Sequence, residues 1–235
     1  LLGAFLFNGD WLTGKKDGTA PVIVLPEQGD KFDMSLDIKQ DNHQLAQTVE
    51  VTPQNVQQVI NVMQRPSEYS YTAKVTYYYS SGSHTVETKG YLRDGISKSM
   101  QYASSGQIEK EAILTKDKAY IWAGGSTSFY MGNRGEFDGD SLSLIPTYED
   151  VLSLEQDLVL DGGFYKQNDI ECIYIAVKNP VSGYTDIYYI AVDSGLLIAA
   201  QSFSSSNNLV YEMTMQSLSL NPVSDQVFLL PNGAS

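Results

Sequence analysis

The sequence predicts a mainly β, α+β fold: an antiparallel meander of about eleven strands that curls toward a barrel, with one amphipathic helix and one helical insertion. Residues Tyr69–Tyr79 alternate aromatic or apolar with polar side chains, which is the period of a half-buried strand. Turn signals then recur about every ten residues, so that each strand can pair with the next one in sequence. A wide, twisted meander of this kind tends to curl toward a barrel.

Residues 1–48 precede this pattern and form the first of two predicted segments. The chain opens on the mostly apolar run Leu1–Phe7, which is too short for a bilayer span of about 20 residues. The run fits either the trailing end of a signal or anchor segment, or a strand or helix packed on the domain. Val22–Leu25 is short enough for an edge strand between two prolines. The polar tract around His43 predicts either a linker or an arm packed over the domain, with a solvated histidine.

One helix is well marked, at Thr52–Gln64. Thr52 is a suitable N-cap, and Pro53 suits the first turn because its missing N–H would have no partner there. Apolar residues then recur with helical spacing at Val56, Val59, Ile60 and Met63. Such a stripe lies on an apolar surface, while the glutamines of the other faces meet water.

The strand pattern is interrupted after Gly135. Thr147 and Asp150 have the spacing of a capping box, which predicts one short helical turn in this insertion. The strands resume near Leu158 and run to the end of the chain. The last strand is predicted to end where Phe228, Leu230 and Pro231 pin the C-terminus.

The residues carry no recognisable catalytic constellation, so we predict a binding protein without enzymatic activity or cofactor. His43 and His84 are the only histidines, and no nucleophilic serine motif or phosphate-binding loop is present. The single cysteine, Cys172, lies in an apolar run and is predicted to be buried and unreactive. Three acidic residues resemble a fragment of a calcium loop but do not complete it, which predicts a solvated loop and no metal site: Glu136, Asp138 and Asp140.

The charge balance argues against nucleic acid as a partner. Fifteen basic residues stand against twenty-eight acidic ones, for a formal net charge of -13. Such a surface repels a phosphate backbone. We therefore predict no nucleic-acid binding.

The late strands carry more apolar side chains than one buried face needs. In Ile170–Val177 and Ile187–Val192 the residues of both faces are apolar, whereas a sheet with one wet face alternates. Either the sheet curls around its own side chains, or it leaves an apolar cavity that a ligand fills. Methionine and tyrosine suit a cavity because they offer adaptable apolar surfaces, tyrosine with a polar edge. The predicted lining is Tyr71, Val75, Tyr77, Met100, Tyr189, Met213 and Met215.

The order of these features resembles the LolA/LolB-like superfamily, the lipoprotein carriers and RseB-like sensors of the bacterial envelope. The resemblance covers about Val49–Gly233. It rests on the helix leading into the long strand, on the interrupted meander, and on the closing segments "YYIAVDSGLLIAAQSF", "LVYEMTMQSLSL" and "VFLLPNG". Residues 49–235 are therefore expected to form a LolA-like half-barrel domain.

The resemblance implies an unclosed antiparallel β-barrel that holds an apolar cavity, in an extracytoplasmic protein near a membrane surface. It also implies that the helix serves as a lid over this cavity, through the lid residues Val56, Val59, Ile60 and Met63. Relatives in Gram-positive and spore-forming bacteria are often membrane-tethered or sporulation-related, and a tether upstream of residue 1 would fit the apolar start of the chain. The arginine that locks the lid in this family has no clear counterpart, because Arg65 and Arg93 both stand at element ends. Two functions stay open. One is a protein that holds a lipid, an acyl chain or a lipoprotein; the other is an envelope sensor or scaffold with a filled core and a protein partner.

Overall fold

The computed structural model describes residues 39–134, 145–167 and 170–234. Within these ranges the chain forms one antiparallel sheet of eleven strands and three α-helices. The strands are β1 (Glu68–Tyr79), β2 (Gly82–Arg93), β3 (Ile96–Tyr102), β4 (Ile108–Leu114), β5 (Lys118–Ala123), β6 (Tyr130–Asn133), β7 (Val159–Gln167), β8 (Ile170–Lys178), β9 (Thr185–Ala191), β10 (Leu197–Phe203) and β11 (Leu209–Ser219). The helices are α1 (Lys39–Thr48), α2 (Val56–Val62) and α3 (Tyr148–Leu152). The predicted mainly β, unclosed fold is confirmed.

Two meanders share a seam in this sheet. Strands β1 to β6 pair in sequence on one side, and β7 to β11 pair in sequence on the other. The two meet where β1 pairs with β11, a pairing between distant strands that turn spacing did not predict. Strands β6 and β7 are the two edges, so the insertion with α3 runs from one edge of the sheet to the other.

Helix α2 is shorter than the predicted Thr52–Gln64. The backbone N–H groups of Asn55 and Val56 both donate to the carbonyl of Thr52, which makes a turn before the helix rather than its first turn. Asn55 occupies the N-cap, and its side chain accepts from the N–H of Thr52 at 2.8 Å. The four predicted lid residues are nonetheless buried, with exposed fractions of 0 to 5%.

Helix α1 lies in the tract that was predicted as a linker or an arm lying over the domain, and no helix was predicted there. The tract has no apolar stripe, and only Leu45, Ala46 and the following Val49 pack against the core. A buried amide holds the helix instead: Asn42 donates to the carbonyl of Gln64 at 2.9 Å and accepts from its N–H at 2.8 Å. Hydrophobic periodicity cannot detect a helix that is docked by polar contacts.

His43 is likewise not the solvated residue that was predicted. Its Nε2 lies 2.6 Å from a carboxylate oxygen of Asp193 in the β9–β10 turn. Its Nδ1 lies 3.5 Å from Glu171 in β8, which also pairs with Lys166. The imidazole therefore joins α1 to one end of the sheet, through acidic partners far away in sequence.

The insertion matches its prediction, whereas the predicted closing strand at the C-terminus is a short 3₁₀ helix, Asp225–Phe228. Thr147 and Asp150 form the capping box of α3. The chain end is held by Arg93, which stacks on Phe228 and pairs with Asp225 at 2.6 Å. The apolar run Leu1–Phe7, the candidate strand Val22–Leu25 and the acidic residues Glu136, Asp138 and Asp140 lie outside the described residues.

Candidate functional site

Direct register across six strands defines one face of the sheet. The row runs from β1 through β11 to β7 and contains Val75, Met213, Ala200, Tyr188, Ile175 and Gly162. Directly paired residues of antiparallel strands point to the same side. We call the side of this row the inner face and the opposite side the outer face.

Helix α2 packs on the inner face at Gly162. A Cβ at this position would lie 2.9 Å from Val56, so only glycine lets the helix approach the sheet so closely. Val56 and Ile60 belong to the same buried cluster as Val75 and Met213. The apolar stripe of the helix therefore covers the β7–β11 side of the inner face.

The structure brings most of the predicted lining residues together. Tyr71, Val75 and Tyr77 alternate along β1 on the inner face, and Val75 and Ala73 pair with Met213 and Met215. Two predicted residues lie elsewhere. Tyr189 points to the outer face, because its neighbour Tyr188 is in the inner row, and Met100 pairs with Lys89 on the outer face.

A small cavity opens between the inner face and α3. It has a volume of about 40 Å³ and is lined by Tyr69, Tyr71, Ile145, Pro146, Thr147, Tyr148, Leu196, Leu197 and Met215. The lining is apolar, with three phenol groups. Tyr71 and Met215 were predicted from sequence. The other lining residues come from β1, the insertion and the β9–β10 turn, which no local pattern relates to one another.

The tyrosines of this cavity are strongly desolvated. The Tyr69 and Tyr71 rings lie 6.2 Å apart, centroid to centroid. Burial raises the pKa of Tyr71 to about 12. Burial also raises the pKa of Tyr69, with a smaller contribution from the charge of Glu149. The phenols are thus neutral hydrogen-bonding groups in an apolar surrounding.

Arg65 ties three elements together beside the cavity. Its guanidinium donates to the carbonyls of Ile60 and Met63 at the end of α2, and at 2.9 Å to the carbonyl of Gly195 in the β9–β10 turn. It also stacks on Tyr148 of α3 at 3.9 Å. Burial lowers the pKa of this guanidinium. The arginine thus fixes the position of the helices relative to the sheet.

Helix α3 is also held by α2. The side chain of Gln57 donates to the carbonyls of Val151 and Leu154, at 3.0 and 2.9 Å. Val151 itself is fully buried in the inner cluster. The cover of the inner face is therefore two short helices joined by amide and guanidinium hydrogen bonds.

The described residues offer little for catalysis or metal binding. No group of three or more His, Cys, Asp or Glu side chains in residues 39–134, 145–167 and 170–234 could hold a metal ion. Cys172 is fully buried, and burial raises the pKa of its thiol. In the same part of the chain, no helix is long and apolar enough to cross a membrane.

Comparison with known proteins finds similarity at the level of fold. No protein-family model matches the sequence, and no curated protein matches it significantly. A structure of an uncharacterized conserved protein from Thermus thermophilus is 5% identical over 79% of this chain and 91% of the other, with a TM-score of 0.47. A LolA superfamily protein from Nitrosomonas europaea is 9% identical over 76% and 97%, with a TM-score of 0.37.

A chain in the MucA/MucB complex of Pseudomonas aeruginosa is also similar. It is 14% identical over 82% of this chain but 60% of its own length, with a TM-score of 0.43. The matched structures thus include the superfamily that the sequence resembles. At these identities the likeness concerns the fold alone.

Proposed function

We propose that this chain is an extracytoplasmic binding protein that holds the apolar chain of a lipid, a free acyl group or a lipoprotein on its inner face. The observation that carries the proposal is the cavity between β1 and α3, where Tyr71 and Met215 meet Leu196 and Tyr148. Its walls are apolar, and each methylene buried there would contribute about 0.8 kcal/mol. The sequence resemblance supports the same class of ligand and an envelope location, with a tether upstream of residue 1.

Uptake of a chain requires movement of the cover. A cavity of about 40 Å³ holds little more than water, whereas ligand pockets have volumes of about 300–1,000 Å³. Helix α3 has five residues, and Tyr148 forms one wall of the cavity. We expect displacement of Tyr148 and α3, against the hydrogen bonds of Arg65 and Gln57, to enlarge the space.

The small volume of the cavity also favours a second function. Ala73, Val75 and Met213 are fully buried, as the filled core of a sensor or scaffold domain requires. Such a protein would act through contacts of its acidic exterior with an envelope partner. This alternative needs no ligand and no movement of α3.

Lipid extraction and a binding titration separate the two functions. The purified protein is extracted with organic solvent for mass spectrometry and titrated with dansyl-undecanoic acid. We expect co-purified lipid or saturable uptake near one molecule per chain. Met215→Phe should weaken uptake at least about tenfold, because the ring fills the cavity. Met131→Phe is the matched control, since Met131 is 55% exposed on β6.

Two opposite outcomes would each contradict one part of the proposal. A protein without extractable lipid that takes up no probe would contradict lipid binding and favour the sensor or scaffold. Uptake that Met215→Phe and Met131→Phe leave equally unchanged would contradict the assignment to this cavity.

A further inference from the structure

Two buried polar side chains interrupt the inner face next to the apolar cluster. Thr88 of β2 is fully buried, and Gln101 of β3 is 8% exposed. Among the described residues, the hydroxyl oxygen of Thr88 and the amide nitrogen of Gln101 have no hydrogen-bond partner. A buried unsatisfied polar group costs about 1–3 kcal/mol, and native proteins contain few of them. A pair of such groups side by side therefore needs an explanation.

The two atoms belong to one row that starts at the cavity. Met215 pairs with Ala73 of β1, Ala73 pairs with Thr88, and Thr88 pairs with Gln101. Neighbouring strands are about 4.8 Å apart, which places Thr88 about 10 Å and Gln101 about 14 Å from Met215. All four residues point to the inner face. A ligand lying along the row from the cavity would reach both polar groups.

The next residue of the row carries a positive charge. Gln101 pairs with Lys110 of β4, so the Lys110 side chain leaves the strand on the inner face as well. Burial lowers the pKa of Lys110. A partly desolvated ammonium favours an anion or a carbonyl oxygen nearby, as do a hydroxyl and an amide N–H that both donate.

We propose that Thr88 and Gln101 form a polar subsite that donates hydrogen bonds to the carboxylate or ester oxygen of an amphiphile whose apolar chain enters the cavity. This inference rests on the proposed function and adds the chemistry of the head group. Lys110 supplies the charge that favours a carboxylate over an ester. Val86 and Gly90, which flank Thr88 along the same face of β2, have no polar side-chain atom to compete for it.

Competition for an uncharged probe tests the subsite. N-phenylnaphthylamine reports occupancy of the cavity, and laurate, methyl laurate and dodecane compete for it. We expect laurate and methyl laurate to bind more tightly than dodecane. Thr88→Val combined with Gln101→Leu should weaken laurate about tenfold or more and leave dodecane within about twofold, because only the head group loses hydrogen bonds. Lys110→Gln should weaken laurate but not methyl laurate.

Matched variants guard against effects on folding. Thr88→Ser keeps the hydroxyl and should retain laurate binding, whereas Thr88→Val should not, so the single variants suffice if the double variant fails to fold. Thr72→Val makes the same change on the outer face, since Thr72 pairs with Lys89, and should have no effect. The double variant should melt no lower than the wild type without ligand, because it removes two unsatisfied groups.

Two different failures can be told apart. Equal affinity of the wild type for laurate and dodecane, or an unchanged laurate affinity in Thr88→Val and the double variant, would overturn the subsite and leave the apolar cavity standing. Failure of the probe itself to bind would overturn the proposed function, and the subsite with it.

Discussion

The two meanders of the sheet bury their faces differently. In β9, Ile187 on the outer face and Ile190 on the inner face are both fully buried. In β1 the outer face carries exposed Lys74 between Thr72 and Thr76, and only the inner face is apolar. Strands β8 to β10 are thus a core layer with two apolar faces, whereas β1 and β2 are half-buried strands of the usual kind.

Strand β3 differs from β1, because its small polar residues lie on the inner face. Its outer face carries Lys98 and Met100, and Lys98 pairs with Glu111 at 2.8 Å over the ring of Trp122. Its inner face carries Ser97, Ser99 and Gln101. The inner face is therefore apolar at β1 and at Val86 of β2, and it becomes polar at β3. A face that changes from apolar to polar along one row is suited to a ligand with a tail and a head.

The largest expected loss of stability comes from substitutions in the core layer whose two faces are both apolar. Ile187→Ala and Ile190→Ala should each lower the free energy of unfolding by about 2–5 kcal/mol, because each leaves a cavity in a fully packed layer. Urea unfolding followed by circular dichroism measures the loss. Lys74→Ala, at an exposed outer position of β1, should change stability by no more than about 0.5 kcal/mol. A loss below about 1 kcal/mol for Ile187→Ala alone would show that the outer face of β9 is not a core surface.

Much of the fold could be predicted because the sequence patterns that indicate it involve residues close together in the chain. Period-two alternation placed Tyr71, Val75 and Tyr77 on one face, and glycine turns set the strand count. The β1–β11 seam could not be predicted, since it joins strands at opposite ends of the domain. Helix α1 was missed because a buried amide and a hydrogen-bonded imidazole, not an apolar stripe, dock it on the core.

Which side chains point inward could be predicted only for strands in which alternating polar residues mark the solvent-exposed face. In β9 both Tyr188 and Tyr189 are flanked by apolar residues, so nothing in the sequence shows that Tyr188, not Tyr189, points inward. In β3 the reversed order placed Met100 on the outer face. By the same rule the polar run Ser97, Ser99 and Gln101 would mark the outer face of β3, although these residues lie on the inner face.

A smaller effect tests the seam between the two regions. Gly90 of β2 pairs with Tyr71 of β1, and a Cβ on Gly90 would lie 2.1 Å from the Tyr71 ring. Gly90→Ala must therefore displace the ring, which we expect to cost about 1–3 kcal/mol. In a Tyr71→Leu background the same change should cost less than about 0.5 kcal/mol, since the ring is gone. Urea unfolding of the four proteins gives the coupling energy, and strictly additive losses would show that the ring does not lie over Gly90.

The smallest effect concerns alkaline pH. Burial raises the pKa of Tyr71 to about 12 in the folded protein, whereas an unfolded tyrosine ionises near pH 10. Because the folded-state pKa is the higher one, the contribution of Tyr71 to stability is complete below about pH 10 and is lost as the pH rises toward about 12. Between pH 9 and pH 11 the wild type should lose about 1.3 kcal/mol more than Tyr71→Phe, which cannot ionise. Parallel losses in the two proteins over this range would mean that Tyr71 is hydrated and that the apolar inner surface stops short of the seam.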